Sequence, residues 1–333
     1  MDTLKYTLNA LLPILLVILL GYYVGHHGRW NDSFFKQLNQ LCFHLFLPVQ
    51  LFYSVSSISD LREMNWPVIG FLVVTIFSCL GCGLLASRLF VRDTRQKSCI
   101  VQASFRSNTA ILGLPLANAL GGPDAAPFAA LSTGLCVPVY NLLAVVVLTL
   151  YSQSKEKRIS PLNLLKRIIT NPLIVGSIGG LIAVIIRGLL PTVDGQPIFT
   201  LQKNLAPVYA MLGNLSKIAS PVMLFALGAR LNLSAVKKLL PQISLGVFIR
   251  LIVSPLLAVG GAYLFRDALG LTVIEMPSLI AISASPVAVS SAVMVQEIGG
   301  DDQLANQLVV WTSVVSLFTI FAIVYLMRSI GML

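Results

Sequence analysis

Charge is what this sequence has least of. Only 11% of its 333 residues are Asp, Glu, Lys or Arg, whereas a soluble domain carries about a quarter. No polar stretch is long enough for a separate soluble domain; the longest, Ser152-Gln153-Ser154-Lys155-Glu156-Lys157-Arg158, reads as a loop. Negative charge is scarcest: the thirteen acidic residues lie in loops or at the ends of apolar runs, none in the middle of one. Cysteine is sparse as well, at five residues. Cys79-x-x-Cys82 has no second Cys or His cluster beside it, so it reads as small apolar filler and not as a redox or metal pair. There is no His-Glu-x-x-His motif and no pair of intramembrane aspartates, so neither an enzyme nor a bound cofactor or metal is expected. The N-terminus lacks a basic n-region and a small-residue cleavage site, and the first apolar run is expected to stay as a membrane span. The net charge of +10 does not imply a nucleic-acid partner, because the basic residues are scattered between apolar runs and form no face with interleaved aromatics.

What is abundant is apolar sequence. Hydrophobic residues make up 56% of the chain and the mean hydropathy is +0.85, which places it in the membrane class. About 20 apolar residues are needed for a helix to cross the hydrocarbon core. That window gives ten spans, over roughly 4–25, 34–55, 67–90, 98–120, 125–151, 172–190, 205–231, 241–265, 273–298 and 304–327. Residues 161–170 are basic and amphipathic and read as an interfacial helix. Alternating the loops puts Arg29, Lys36, Arg88, Arg92, Arg95, Lys97, Lys155, Lys157, Arg158, Lys166, Arg167, Arg230, Lys237 and Lys238 on one side, 14 residues in all. The other side holds 6: Lys5, Arg62, Arg187, Lys203, Arg266 and Arg328. The richer side is cytoplasmic by the positive-inside rule, which sends both termini outward and makes lipid the protein's solvent.

The two halves echo each other. Leu47-Pro48-Val49-Gln50-Leu51-Phe52 in the second span matches Ser220-Pro221-Val222-Met223-Leu224-Phe225 in the seventh, at an offset of 173. Gly121-Gly122-Pro123-Asp124 matches Gly299-Gly300-Asp301-Asp302 at an offset of 178. The expected architecture is all-α: ten transmembrane helices as two five-helix repeats, residues 1–151 and 172–333, joined by a linker over 152–171. Five is odd, so the second repeat is inverted, an organisation found in secondary transporters. Gly21-x-x-x-Gly25 and Gly176-x-x-x-Gly180 read as helix-packing faces.

The fourth span contains Arg106-Ser107-Asn108-Thr109 followed by Gly113-Leu114-Pro115, and the ninth contains Ser283-Ala284-Ser285-Pro286. Small polar residues and a proline in mid-span break a helix, and the freed backbone groups must then be satisfied by protein or by a cavity. The offset of 178 sets Asn108 against Pro286. Matched breaks of this kind point to a midplane substrate site, with Ser107, Asn108, Thr109, Ser285 and Pro286 as candidate contacts and Gly113, Pro115 and Pro286 as hinges. The deep ionisable groups are His44, Arg106, Lys217 and Arg250. His44 and Lys217 are equivalent, each four residues before its proline. Four potential cations and no deep carboxylate suit an anion better than Na⁺. The sequence therefore predicts that Lys217→Ala abolishes transport.

These stretches resemble the auxin efflux carrier family, which includes bacterial permeases for malate, malonate and related acids. The resemblance covers essentially the whole chain. It rests on Leu47-Pro48, on Asn108-Thr109 through Gly113-Leu114-Pro115-Leu116, on Pro221 through Phe225 to Gly228, and on Ser285-Pro286. It implies a scaffold part and a transport part, with the fourth and ninth spans crossing where they unwind and holding a substrate carboxylate there. Asn108 would be the donor and Pro286 the crossover proline. The sequence departs from plant members at Ser107, where a proline is common, and at Val287, where an amide is common. Those departures and the short central loop favour a bacterial organic-acid carrier in a cytoplasmic (inner) membrane over an auxin carrier. The resemblance also implies a homodimer. The alternative within the same broad architecture is a Na⁺- or H⁺-coupled carrier, either a bile-acid-type symporter or a cation antiporter.

Overall fold

In the computed structural model the chain is described over residues 2–57, 65–151, 165–166, 168–193 and 196–333. Most of the linker at 152–171, with Lys155, Lys157, Arg158 and Arg167, lies outside the described residues, as do Arg62 and the side chain of Pro115.

The described residues are helical apart from connecting loops and a short hairpin that pairs Thr192–Val193 with Gln196–Pro197. Asn and Asp begin many of the helices, because a side-chain oxygen at the N-cap accepts one of the first N–H groups left without an intrahelical partner. Asn31 caps α2 (Asp32–Leu41), Asn65 caps α4 (Trp66–Phe90) and Asp93 caps α5 (Thr94–Phe105). Asn171 caps α7 (Pro172–Leu189) and Asp301 caps α12 (Asp302–Ser329). Upstream lie α1 (Asp2–His27) and α3 (Leu47–Ser56), the latter joined to α2 by a π-helical turn at Cys42–Phe46. Between these are α6 (Leu114–Tyr151), α8 (Ala206–Ala229), α9 (Val236–Phe248), α10 (Met276–Ala284) and α11 (Val289–Ile298).

Among the described residues, six helical stretches are long and apolar enough to cross a membrane: Trp66–Phe90, Phe128–Tyr151, Pro172–Leu189, Ala206–Ala229, Leu233–Leu264 and Asp302–Ser329. The ten runs of the sequence reading do not each become one straight helix. The second contains a π-helical turn. The fourth and ninth are broken outright, leaving α5 and α10 too short to cross on their own. The two Gly-Gly turns use the one residue type that takes positive φ freely: Gly122 sits at φ 68° inside α6, and Gly299 at φ 105° ends α11.

The exterior is apolar and the centre is mixed, as expected of a protein dissolved in lipid. Leu189, Leu264, Phe318 and Tyr325 are exposed. Every residue of α10 is buried, and so is α5 from Ser98 to Phe105. Around this centre, helices from the two halves pair through glycine. A Cβ added to Gly21 or Gly25 of α1 would stand 2.1 Å from the Phe225 carbonyl or 2.3 Å from the Ala229 carbonyl of α8, and one on Gly228 would stand 2.0 Å from the Ile18 carbonyl. A Cβ on Gly176 of α7 would stand 2.4 Å from the Pro48 carbonyl of α3, and one on Gly180 would stand 2.7 Å from the Val55 side chain. Both small-xxx-small faces therefore bring backbones together, and each joins an element of one half to an element of the other.

Candidate functional site

The two breaks meet. After α5 the backbone turns extended at Arg106, and Ser107 pairs antiparallel with Val287. The Asn108 N–H donates to the Pro286 carbonyl at 2.9 Å, and the Ala288 N–H donates to the Arg106 carbonyl at 3.2 Å. The Val287 N–H donates to the Thr312 hydroxyl of α12 at 3.0 Å. Local sequence explains the second break: a residue before proline avoids the helical region, and Ser285 sits at ψ 147°. The first break holds no proline between Arg106 and Thr109. Its unwound backbone is satisfied by the second, as a low-dielectric interior demands.

The crossing has two faces of opposite character. On one, α5 and α10 end and their last carbonyls lack N–H partners within the helix. Arg250, in a π-helical turn over Ile249–Val253, fills this face: it donates to Ser285 O (2.9 Å), Phe105 O (3.3 Å), Ile282 O (2.9 Å) and Ser283 O (3.0 Å). On the other face begin α11 and a π-helical turn, Thr109–Gly113, that leads into α6. The first N–H groups of such segments have no partner within the helix and carry partial positive charge.

That second face borders a cavity of about 60 Å³. Arg106, Ser107, Asn108 and Thr109 line it from the first break and Ala288, Val289 and Ser290 from the second. Thr133, Tyr140 and Asn141 of α6 close one wall; Gln50 and Ser54 of α3 and Ser220 of α8 close another. The Arg106 guanidinium is buried and donates to Asn141 Oδ1 at 2.8 Å, to Ser290 Oγ at 2.9 Å and to the Met294 sulfur. No ion pair to Arg106 exists among the described residues. Beside it, three buried polar atoms have no hydrogen-bond partner: Ser107 Oγ, Asn108 Nδ2 and Thr109 Oγ1. A buried polar group left unpaired costs about 1–3 kcal/mol. Three at consecutive residues, around one cavity and next to a guanidinium without an ion pair, leave hydrogen-bonding capacity open on this face.

The other residues singled out from the sequence lie elsewhere. Ser285 and Pro286 belong to the crossing itself; the Ser285 hydroxyl turns back to the Ala281 carbonyl. Gly113 ends the π-helical turn, where an added Cβ would meet Thr109 at 3.2 Å. Arg250 is on the carbonyl face and outside the cavity. His44 is exposed, with Nδ1 2.9 Å from the Gln40 carbonyl. Lys217 is exposed on α8. Asn141, Ser290, Gln50 and Ser220 escape the sequence reading. Gln50 donates to Ser220 Oγ at 3.1 Å, joining α3 to α8 in the wall of the cavity. The signal that finds Asn141 is the one used for the cations: an amide is costly in an apolar run, so a lone one at mid-span needs a reason.

Residues 6–324 match the family model described as membrane transport protein. A "Putative malonate transporter" of Rhizobium meliloti (strain 1021) is 24% identical over 96% of this chain and 96% of its own length. The "Uncharacterized transporter MJ1031" of Methanocaldococcus jannaschii is 23% identical over 86% of this chain and 88% of its own. The "Uncharacterized transporter YfdV" of Escherichia coli (strain K12) is 24% identical over 76% and 77%.

Proposed function

Since the chain belongs to the membrane transport protein family, we propose that it carries a small mono- or dicarboxylate, such as malonate or malate, across the cytoplasmic membrane by alternating access. It is a multi-pass transporter and not an enzyme. The observation that carries the substrate class is the donor cavity: the Arg106 guanidinium without a carboxylate, beside three unpartnered buried groups. An acceptor-rich anion answers all four at once. The malonate in the name of a relative at 24% identity agrees with that chemistry.

The alternating mechanism rests on the repeat. The hydrogen bond at the crossing joins Asn108 to Pro286, the positions that the offset of 178 makes equivalent. The glycine faces pair first-half α1 with second-half α8, and first-half α3 with second-half α7. Both patterns are what two inverted five-helix units, residues 1–151 and 172–333, would produce about a pseudo-two-fold axis. In this reading ten segments cross the membrane, the linker is cytoplasmic and both termini face outward.

Labelled malonate exchange in liposomes holding the purified protein tests the proposal. Exchange inhibited by small carboxylates and not by indole acetate is the expected result. Folded protein that exchanges no carboxylate would turn the reading toward a cation-coupled carrier.

Lys217 takes a different role. It lies outside the cavity, and on α8 it shares an exposed face with Asn214, while His44 and Gln40 are exposed on the neighbouring second segment. Polar groups at mid-membrane are costly in contact with lipid, so this face is assigned to a second copy of the chain. Lys217→Ala is then expected to keep the malonate KM within about twofold, because no ground-state contact is lost. It should weaken the dimer seen by native mass spectrometry. A KM raised about tenfold with the dimer intact would return Lys217 to the substrate path.

A further inference from the structure

Arg250 is 1% exposed and all four of its hydrogen bonds go to backbone carbonyls, one on α5 and three at the end of α10. Each helix end carries about half a negative charge, and here two such ends converge in the interior. Ser254, one turn beyond Arg250, adds a bond to the Ser283 carbonyl at 3.4 Å. The neighbouring void is about 10 Å³, no larger than one water requires. In carriers built on interrupted helices, unwound carbonyls and half-helix C-termini are where a coupling cation sits. In this protein the chain's own guanidinium stands in that place: it already takes the carbonyls, and its charge opposes a second cation beside it.

We propose that Arg250 is a tethered counter-cation: it holds the carbonyl face of the crossing in the way a coupling ion otherwise would, and so makes the carrier independent of Na⁺. The inference deepens the anion-carrier reading and rests on it for the transport measurements, but its binding consequence stands apart. Arg250 does not line the donor cavity, so it is a positioning residue for the crossing and not a substrate ligand.

The first test is thermal unfolding of purified protein in NaCl against N-methylglucamine chloride at equal ionic strength, with and without millimolar methylguanidinium. Wild type is expected to show no shift with either Na⁺ or methylguanidinium. Arg250→Ala is expected to melt lower and to recover about 2–4 °C with methylguanidinium, since a ligand of the native state raises its stability. In liposomes, wild-type malonate exchange should be equal in Na⁺ and N-methylglucamine. Arg250→Lys, which keeps the charge but reaches fewer carbonyls, should lose at least about tenfold in Vmax with KM unchanged. A Na⁺-induced shift or Na⁺-dependent exchange in wild type would overturn the proposal, as would an Arg250→Lys variant whose KM rises while Vmax holds. Failure of Arg250→Ala to recover with methylguanidinium would overturn it too. If Arg250→Ala does not fold, the wild-type Na⁺ arms and Arg250→Lys still decide. Absence of any exchange by wild type, with the methylguanidinium recovery intact, would reject the anion carrier and leave the counter-cation standing.

Discussion

Arg106→Gln is expected to reduce dicarboxylate exchange by at least about 100-fold. A hydrogen bond to a charged group is worth about 1.5–3 kcal/mol, and losing the guanidinium charge also removes its attraction for the carboxylate. Arg106 is the cation that lines the cavity, and its neighbours there are neutral. Its own fixed partners, Asn141 and Ser290, are neutral too, so its charge is free to be answered by substrate. Glutamine keeps polarity and much of the length while removing the charge. Arg106→Lys should fall between the two, retaining charge and losing the planar fork. The measurement is the initial rate of labelled malonate exchange per inserted protein, with melting temperature as the control for folding. Exchange by Arg106→Gln within about threefold of wild type would make Arg106 a structural cation and remove the basis of the substrate assignment.

Asn108→Asp is expected to be worse than Asn108→Ala, although aspartate is the closer match in shape. The backbone bond from Asn108 to Pro286 survives in both. Alanine deletes one donor, Nδ2, for a loss of about tenfold. Aspartate replaces that donor with a negative oxygen facing the anion. Two like charges about 4 Å apart interact by roughly 4 kcal/mol at an effective dielectric constant of 20, so exchange should fall well beyond 100-fold. The introduced carboxylate, if turned toward Arg106, would give the same result by neutralising the site. Lowering the pH protonates the introduced carboxyl and restores a donor, so activity of Asn108→Asp should rise as pH falls while that of Asn108→Ala does not follow. An aspartate variant more active than the alanine variant at neutral pH would mean that the cavity receives a cation.

The class of the protein and the place of its breaks were legible because both are written in composition along the chain. Scarce charge, long apolar runs and polar residues with proline at mid-span need no tertiary information. The meeting of Arg106–Asn108 with Ser285–Ala288 came from the family resemblance and not from composition, and it gives the unwound backbone its partners. Azimuth was not legible. A hydropathy window gives the depth of Lys217 and His44 but not which way they face, and an apolar helix has little polar contrast to orient it. Both are exposed and neither lines the cavity. Arg250 was ambiguous for a related reason: burial of a cation can serve a ligand or the backbone, and only the carbonyl distances decide. Asn141, Ser290 and Gln50 went unread because neutral polar residues raise no charge alarm, although their cost in lipid differs from that of a cation only in degree.

The glycine contacts have a mechanical consequence. Packed helices slide by small rotamer adjustments in the layer of side chains between them. Between α1 and α8, and between α3 and α7, glycine removes that layer and sets backbone on backbone. At these points the pairs can shift least, so each is expected to move as one rigid unit. Any displacement that turns the cavity from one membrane face to the other must be taken up where side chains still intervene, as between α6 and the Gln50–Ser220 wall.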